Sequence, residues 1–273
     1  MKDLTGHTAL VTGAGGGLGG AIARALAAEG VHLVLSDLPS ADLTERAEQL
    51  RATGVQVECV AADLAVTAEA AALVGKAESA LAPIDILVNN AGTEFVGSFA
   101  QRTPHNLELQ ASVNLLAPML LTHAVLPGMI ERGRGNVVSI SSVAGKFALP
   151  YDPGYCATKY GIAAFMRSLS IEYGSSPVAF SSIHPGAIRD AGMGTSLFAN
   201  APAIVERLMT RSPEQVGAAV VKAVRDDRVE VLVSAQPVRF PALLNAVAPE
   251  AAVRSMRMLK PLSGRLLAGF NRR

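Results

Sequence analysis

The chain has 273 residues, half of them hydrophobic, with few aromatics, no Trp and a net charge of +1. A chain of that length buries enough apolar surface to fold without disulfides or a metal, and its near-neutral balance excludes a global field that would draw it to nucleic acid. Cys59 and Cys156 fit no metal or redox spacing and are too few for a secreted disulfide scaffold. They are expected to be small hydrophobes in a cytoplasmic protein that has no metal site.

The first strand is expected at Thr8–Thr12, and the few residues before it do not read as a signal peptide. Further strands are expected at His32–Ser36, Gln56–Ala61, Ile86–Asn89, Asn136–Ser141, Ala179–His184 and Val229–Ser234. Helical stretches rich in Ala and Leu lie between them, at Gly19–Glu29, Ala41–Ala52, Ala68–Ala82, Pro104–Arg132, Tyr155–Tyr173 and Pro213–Asp226. Strands alternating with helices predict an α/β fold, a doubly wound parallel seven-stranded sheet with helices on both faces. The stretch Leu109 to Ile130 carries no charge, but its two prolines, Asn114 and His123 suit a buried helix better than a membrane span.

Residues 1–235 read as one domain and 236–273 as an extension of it. The extension has seven basic residues (Arg239, Arg254, Arg257, Lys260, Arg265, Arg272, Arg273) and one acid, Glu250, for a charge of +6. The other 17 basic and 22 acidic residues leave −5 on the body. Val253, Met256 and Leu259 fall on one side of a short amphipathic helix there, with Arg254 and Arg257 on another. Such a tail is either a solvated helix face or a surface that docks on a neighbouring subunit or, weakly, on anionic lipid.

Gly13-Ala14-Gly15-Gly16-Gly17-Leu18-Gly19 follows the first strand at once and opens a helix. A glycine cluster alone is a weak signal, but in this strand–turn–helix context it predicts a dinucleotide-binding Rossmann turn. Glycine lets a pyrophosphate approach the backbone, and the helix N-terminus offers unpaired N–H groups. Asp37 ends the second strand, 18 residues beyond Gly19. A carboxylate there accepts hydrogen bonds from both adenosine ribose hydroxyls and repels a 2′-phosphate. The glycine turn holds no Lys or Arg and the first one after Asp37 is Arg46, so the expected cofactor is NAD. Asp37 is also placed to cap the turn before Pro39.

Tyr155 and Lys159 stand four residues apart on one helix face. An adjacent ammonium favours the phenolate of a tyrosine that is otherwise a poor base at neutral pH. Ser142, closing the preceding strand, is placed to orient a substrate oxygen, and Asn114 to hold a water in a relay to Lys159. All lie at or beyond carboxyl ends of strands, where open α/β sheets bind ligands. By spacing alone, the Tyr–Lys pair would also suit a surface helix and the serine a turn.

With Asp63-Leu64, Asn89-Asn90-Ala91-Gly92 and Pro185-Gly186 added, these motifs resemble the short-chain dehydrogenase/reductase family from about residue 5 to 235. The resemblance implies that Gly13, Gly16, Gly17 and Leu18 line the pyrophosphate. Asp37 would hold the adenosine ribose, Asp63 and Leu64 would flank the adenine, and Asn90 would lie along the adenosine side. Tyr155 would be the acid/base, with Lys159 lowering its pKa and binding the nicotinamide ribose. Ser142 would hold the substrate oxygen, Asn114 would anchor the relay water, and Ile188 would meet the carboxamide through its backbone. One departure is Asp190, where the family usually has Thr; Thr195 or Ser196 are candidate stand-ins. The basic extension is the other departure, and it is expected to cap the pocket or block a subunit interface.

The substrate loops around Glu94–Phe99, Lys146–Asp152 and Ala187–Arg207 carry Phe95, Phe99, Phe147, Leu149, Tyr151, Met193, Leu197, Phe198, Ile204 and Leu208. This set predicts a lipophilic secondary alcohol or ketone as the small-molecule substrate of an NAD-dependent oxidoreductase. The rivals are an NADPH-linked 3-oxoacyl-type reductase and a non-catalytic dinucleotide-binding regulatory protein. The Leu109–Ile130 and Tyr155–Tyr173 helices suggest a homodimer or homotetramer, although buried faces in a monomer would look the same.

Overall fold

The computed structural model describes residues 1–189, 208–235 and 237–267, with side chains described through residue 258. Its strands are β1 (Thr8–Thr12), β2 (His32–Ser36), β3 (Val57–Cys59), β4 (Ile86–Asn89), β5 (Gly135–Ile140), β6 (Val178–Pro185) and β7 (Glu230–Val233). They form one sheet in the order β3-β2-β1-β4-β5-β6-β7, with every neighbouring pair parallel. The helices are α1 (Gly17–Ala27), α2 (Thr44–Arg51), α3 (Thr67–Ala80), α4 (Pro104–Ala111), α5 (Ala117–Glu131), α6 (Pro153–Glu172), α7 (Pro213–Asp226), α8 (Arg239–Val247) and α9 (Pro249–Leu267). This is the Rossmann architecture expected from the alternation.

Side chains alternate across each strand. Val11, Leu33, Leu35 and Val88 face one core layer, shared with Ile22 and Leu26 of α1 and Val216, Val220 and Val224 of α7. Leu10, Val34, Leu87 and Val137 face the other, shared with Leu73 of α3, Leu121 and Val125 of α5, and Ile162 and Met166 of α6. A fully buried Leu or Ile contributes about 1.5–3 kcal/mol, so two complete layers hold the sheet rigid. The strand order reverses between β1 and β4, and that reversal opens a crevice at the carboxyl ends.

Several boundaries depart from the sequence expectation, for local reasons. The helix expected from Tyr155 begins two residues earlier. Asp152 caps it by accepting from the Tyr155 N–H, and Pro153 fills the first turn. The expected Pro104–Arg132 helix is one continuous rod interrupted by a π-helical turn at Ser112–Leu116, which places Asn114 at its centre. By length and composition this rod could cross a membrane, but its Leu121, Val125 and Met129 are buried in the second core layer. The extension is a pair of helices, α8 and α9, where one short helix was expected.

Candidate active site

One crevice of about 450 Å³ collects the expected cofactor positions. Gly13, Gly16, Gly17, Leu18, Asp37, Asp63, Leu64 and Asn90 line it together, with Gly92 and Thr93 at one end. Gly13 adopts φ +64°, a left-handed turn that favours glycine. Gly16 precedes α1, and no side chain caps the helix there, so its first N–H groups open on the crevice. Asn90 braces the turn, its Nδ2 donating to the carbonyls of Thr12 (2.9 Å) and Gly13 (3.1 Å). Asp63 is fixed by accepting from the Ala65 N–H at 2.9 Å. The cradle, with its uncapped helix end, fits a dinucleotide pyrophosphate.

Asp37 accepts from the Gly15 N–H at 2.7 Å and the Leu38 N–H at 2.8 Å, so its carboxylate is held at the ribose end. The glycine turn itself holds no Lys or Arg, yet a cation reaches it from outside. Arg46 folds back from α2 and donates to the carbonyls of Ala14 and, at 3.2 Å, Gly16. Its guanidinium lies close enough to Asp37 for the two charges to interact. Thirty residues of sequence separate Arg46 from Gly16, and the β2–α2 crossover removes that separation.

At the other end, Tyr155, Lys159, Ser142 and Asn114 converge. A Cβ on Gly92 would lie 3.3 Å from Asn114 Oδ1 and 3.6 Å from Lys159 Nζ, so the crevice runs directly into this group. Lys159 is buried, donates to the Ile140 carbonyl at 2.9 Å, and lies 5.3 Å from the Tyr155 ring centroid. Ser142 follows β5, and its Oγ accepts from the Ala144 N–H at 3.1 Å. Beneath it, His184 Nδ1 donates to the Ser142 carbonyl at 3.1 Å. Burial and the nearby Lys146 push the His184 pKa down to about 4, so the ring is neutral.

The pattern of the short chain dehydrogenase family matches residues 7–202. The chain belongs to this family. It is 36% identical over 238 residues to the ketoacyl reductase HetN of Nostoc sp. PCC 7120, covering 87% of this chain and 82% of HetN. It is 38% identical over 190 residues to the oxidoreductase UcpA of Escherichia coli K12, covering 69% and 72%. Among solved structures it resembles the L-sorbose reductase of Gluconobacter frateurii, in complex with NADPH and L-sorbose. That match has a TM-score of 0.78 and 27% identity, and covers 87% of this chain and 99% of the reductase. These likenesses make the chain a short-chain dehydrogenase-type oxidoreductase, with a fold that binds a nicotinamide dinucleotide.

Local electrostatics and hydrogen bonding add detail to two of the expected roles. The Tyr155 phenol is pushed up rather than down. Burial is the first cause and the charge of Glu94 the second, while the hydrogen bond with Ser142 opposes them. Lys159 does not reverse this, because it is itself fully buried and its pKa is driven down to about 8. The Asn114 side chain is already committed. Its Oδ1 accepts from the Thr93 N–H (2.7 Å), and its Nδ2 donates to the Thr93 carbonyl (2.8 Å) and to Thr158 Oγ1 (3.3 Å). A relay water at Asn114 would therefore fall to its main chain.

Ile188 is buried and bridges Arg211 through the backbone groups of Ala187 and Arg189. Asp190, Met193, Thr195, Ser196, Leu197, Phe198 and Ile204 lie outside the described residues. The apolar loop residues Phe95, Phe147, Leu149 and Tyr151 are half-buried, whereas Phe99 and Leu208 are largely exposed.

Sequence reasoning missed Glu94, Asp152 and Gln110, which bring polar groups into a region read as apolar. Asp152 Oδ1 accepts from the Tyr155 N–H (3.2 Å) and from Gln110 Nε2 (3.3 Å). The Asp-Pro pair ahead of Tyr155 was the signal available for the cap.

Proposed function

We propose that this chain interconverts a secondary alcohol and a ketone, with Tyr155 exchanging the proton and NAD as the hydride carrier. The observation that carries the reading is the convergence of Tyr155, Lys159, Ser142 and Asn114 at the end of a crevice headed by the glycine turn. Bound at Gly13, Gly16, Gly17, Leu18, Asp37, Asp63, Leu64, Asn90 and the Ile188 backbone, the nicotinamide dinucleotide supplies or accepts the hydride. Ser142 donates a hydrogen bond to the substrate oxygen. Tyr155 gives its proton to that oxygen as the carbonyl is reduced, and takes one back as the alcohol is oxidised. Lys159 stands over the ring to stabilise negative charge there and to bind the nicotinamide ribose. Burial keeps the phenol protonated, so the proton donor is its resting form.

NAD is favoured by the fixed Asp37 carboxylate, which would face a 2′-phosphate with like charge. Arg46 beside it supports a second reading, an NADPH-linked 3-oxoacyl-type reductase. In line with that reading, one relative is named a ketoacyl reductase and one structural neighbour holds NADPH. Dissociation constants for NADH and NADPH, with turnover on lipophilic ketones and 3-oxoacyl thioesters, test both. Tighter NADH binding with ketone turnover supports the first reading; NADPH preference with thioester turnover replaces it.

Support for a lipophilic substrate comes from an apolar groove of about 460 Å³ between Phe147–Pro150 and Phe240, Leu244, Val253 and Met256 of the extension. Leu149 also packs on the Tyr155 cluster. The extension is anchored there by Asn245, which donates to the Tyr160 hydroxyl at 3.0 Å, so it caps the substrate loop. Half-exposed Leu116, Met119 and Ile130 and the exposed Ile171, on the faces of the α4–α5 rod and α6, support a homo-oligomer, which light scattering would detect. Exposed Phe240, Leu243 and Val247 on α8, beside Arg239, Arg254 and Arg257, support weak contact with an anionic bilayer, testable by vesicle sedimentation. A cytoplasmic location is supported by the exposed free thiol of Cys59 and testable by fractionation.

A further inference from the structure

We propose that Glu94 is a positioning residue: by exchanging a proton with Asp152 it sets the charge felt by Tyr155 and Lys159, and so biases the direction of hydride transfer with pH. The proposal rests on the acid/base role of Tyr155 given above and adds to it a group that no family motif supplies.

Glu94 is held in place from both sides. Its neighbour Thr93 has both backbone groups clamped by the Asn114 side chain, and the Asn114 amide also reaches Thr158, next to Lys159. Three residues on, the Gly97 N–H donates to the Tyr151 carbonyl at 2.7 Å, closing this loop against the segment that leads into Asp152. From this loop the Glu94 carboxyl lies within electrostatic reach of Asp152, Tyr155, Cys156 and Lys159. Among the described residues, Arg102 is a cation whose charge reaches Asp152.

Asp152 needs such a neighbour. It is 5% exposed. Its Oδ1 is used by Tyr155 and Gln110, while its Oδ2 is buried without a hydrogen-bond partner. A buried carboxylate oxygen left bare is costly, and a proton on Glu94 supplies the missing donor. Burial, and the charge and hydrogen bonding of Asp152, push the Glu94 pKa up to about 7, with Lys159 opposing. The shared proton therefore leaves in the neutral range.

Ionised Glu94 adds a negative charge that raises the affinity of both Tyr155 and Lys159 for protons. Above neutral pH that charge adds to burial in holding the phenol protonated, which favours the donor role needed for ketone reduction and opposes the phenolate needed for alcohol oxidation. Glu94→Gln removes that charge. The acidic limb of oxidation and the basic limb of reduction should then both move to lower pH by more than about half a unit. Glu94→Asp should return both limbs towards the wild-type positions.

The test pairs two readouts on the full chain. The first is the pH profile of kcat in both directions for wild type, Glu94→Gln and Glu94→Asp, each shown by cofactor titration to bind normally. The second needs no turnover: infrared titration of the protonated-carboxyl stretch, which should vanish near neutral pH in wild type and be absent in Glu94→Gln. Superimposable pH profiles for wild type and Glu94→Gln, or a carboxyl band that does not titrate near neutrality, overturn the proposal. Failure of the Tyr155 reading itself shows differently, as turnover that persists in Tyr155→Phe while the carboxyl band still titrates.

Discussion

Replacing Gly19 by alanine adds one methyl group where α1 passes over the glycine turn. A Cβ there would land on the Gly13 carbonyl oxygen, well inside van der Waals contact, and 2.9 Å from both Ala14 Cα and Asn90 Nδ2. Two of these obstacles are backbone, and the third braces the turn, so none can swing aside cheaply. Alanine's helix propensity returns at most about 1 kcal/mol, whereas overpacking costs about 1–3 kcal/mol. With a rigid obstacle the upper end applies, for a net loss of about 1–2 kcal/mol and a Tm lower by roughly 2–4 °C. Because the displaced segment is the pyrophosphate cradle, the dissociation constant for the dinucleotide should rise at least about tenfold, or about 1.4 kcal/mol. Gly75→Ala is the internal control. Gly75 lies on the exposed side of α3 and its Cβ would meet nothing within 4 Å, so that variant should gain up to about 1 kcal/mol and bind cofactor unchanged. Calorimetry with and without cofactor reads both quantities. A Gly19→Ala protein with wild-type Tm and wild-type affinity would refute the close-approach argument.

Ser142→Ala removes the hydroxyl placed to orient the substrate oxygen. It should lower kcat by roughly 10²–10³-fold with cofactor affinity unchanged; an equal loss of cofactor affinity would mean that the serine is structural. Asn114→Ala releases both backbone groups of Thr93, so kcat should fall and the Thr93 amide should exchange faster by hydrogen-exchange measurements. Unaltered protection at Thr93 would contradict the clamp. His184 is neutral when folded, with a pKa of about 4 against 6.5 in the unfolded chain. The unfolded state therefore binds the extra proton between these values, and stability is fully present above about pH 6.5 and lost as pH falls towards 4. The loss amounts to roughly 3 kcal/mol. Urea unfolding should show this slope in wild type and lose it in His184→Asn; equal slopes in the two proteins would count against a buried neutral imidazole.

Much of this was legible in the sequence because local pattern and global fold agree. Ala9, Val11, Leu33 and Leu35 alternate with Leu10 and Val34, and this period of two fixes which layer each strand feeds. The glycine turn, Asp37, Asp63, Asn90 and the Tyr–Lys spacing each sit at a strand end, and they meet in one crevice or beside it. What the sequence hid was electrostatic and long-range. Arg46 reaches the turn because α2 packs beside α1, the helix that the turn opens. Glu94 and Asp152 are far apart in sequence and come within reach of each other across two loops that the Gly97 N–H and the Tyr151 carbonyl tie together. Spacing gives Tyr155 its neighbouring ammonium but not the burial of both partners, which is the first cause of the phenol's upward shift. The π-helical turn at Asn114 was invisible because its residues suit an ordinary helix equally well.

Comparison of Tyr155→Phe with wild type tests the acid/base assignment most directly. The phenyl ring keeps the packing of the cluster with Ala144, Cys156 and Leu149 and removes only the hydroxyl. The variant should bind the dinucleotide with wild-type affinity, keep its Tm within a few degrees, and lose turnover of every substrate the wild type accepts. Loss of about 10²-fold or more in kcat at unchanged affinity is the predicted result. Turnover retained at the wild-type rate would contradict the assignment of Tyr155 as the acid/base.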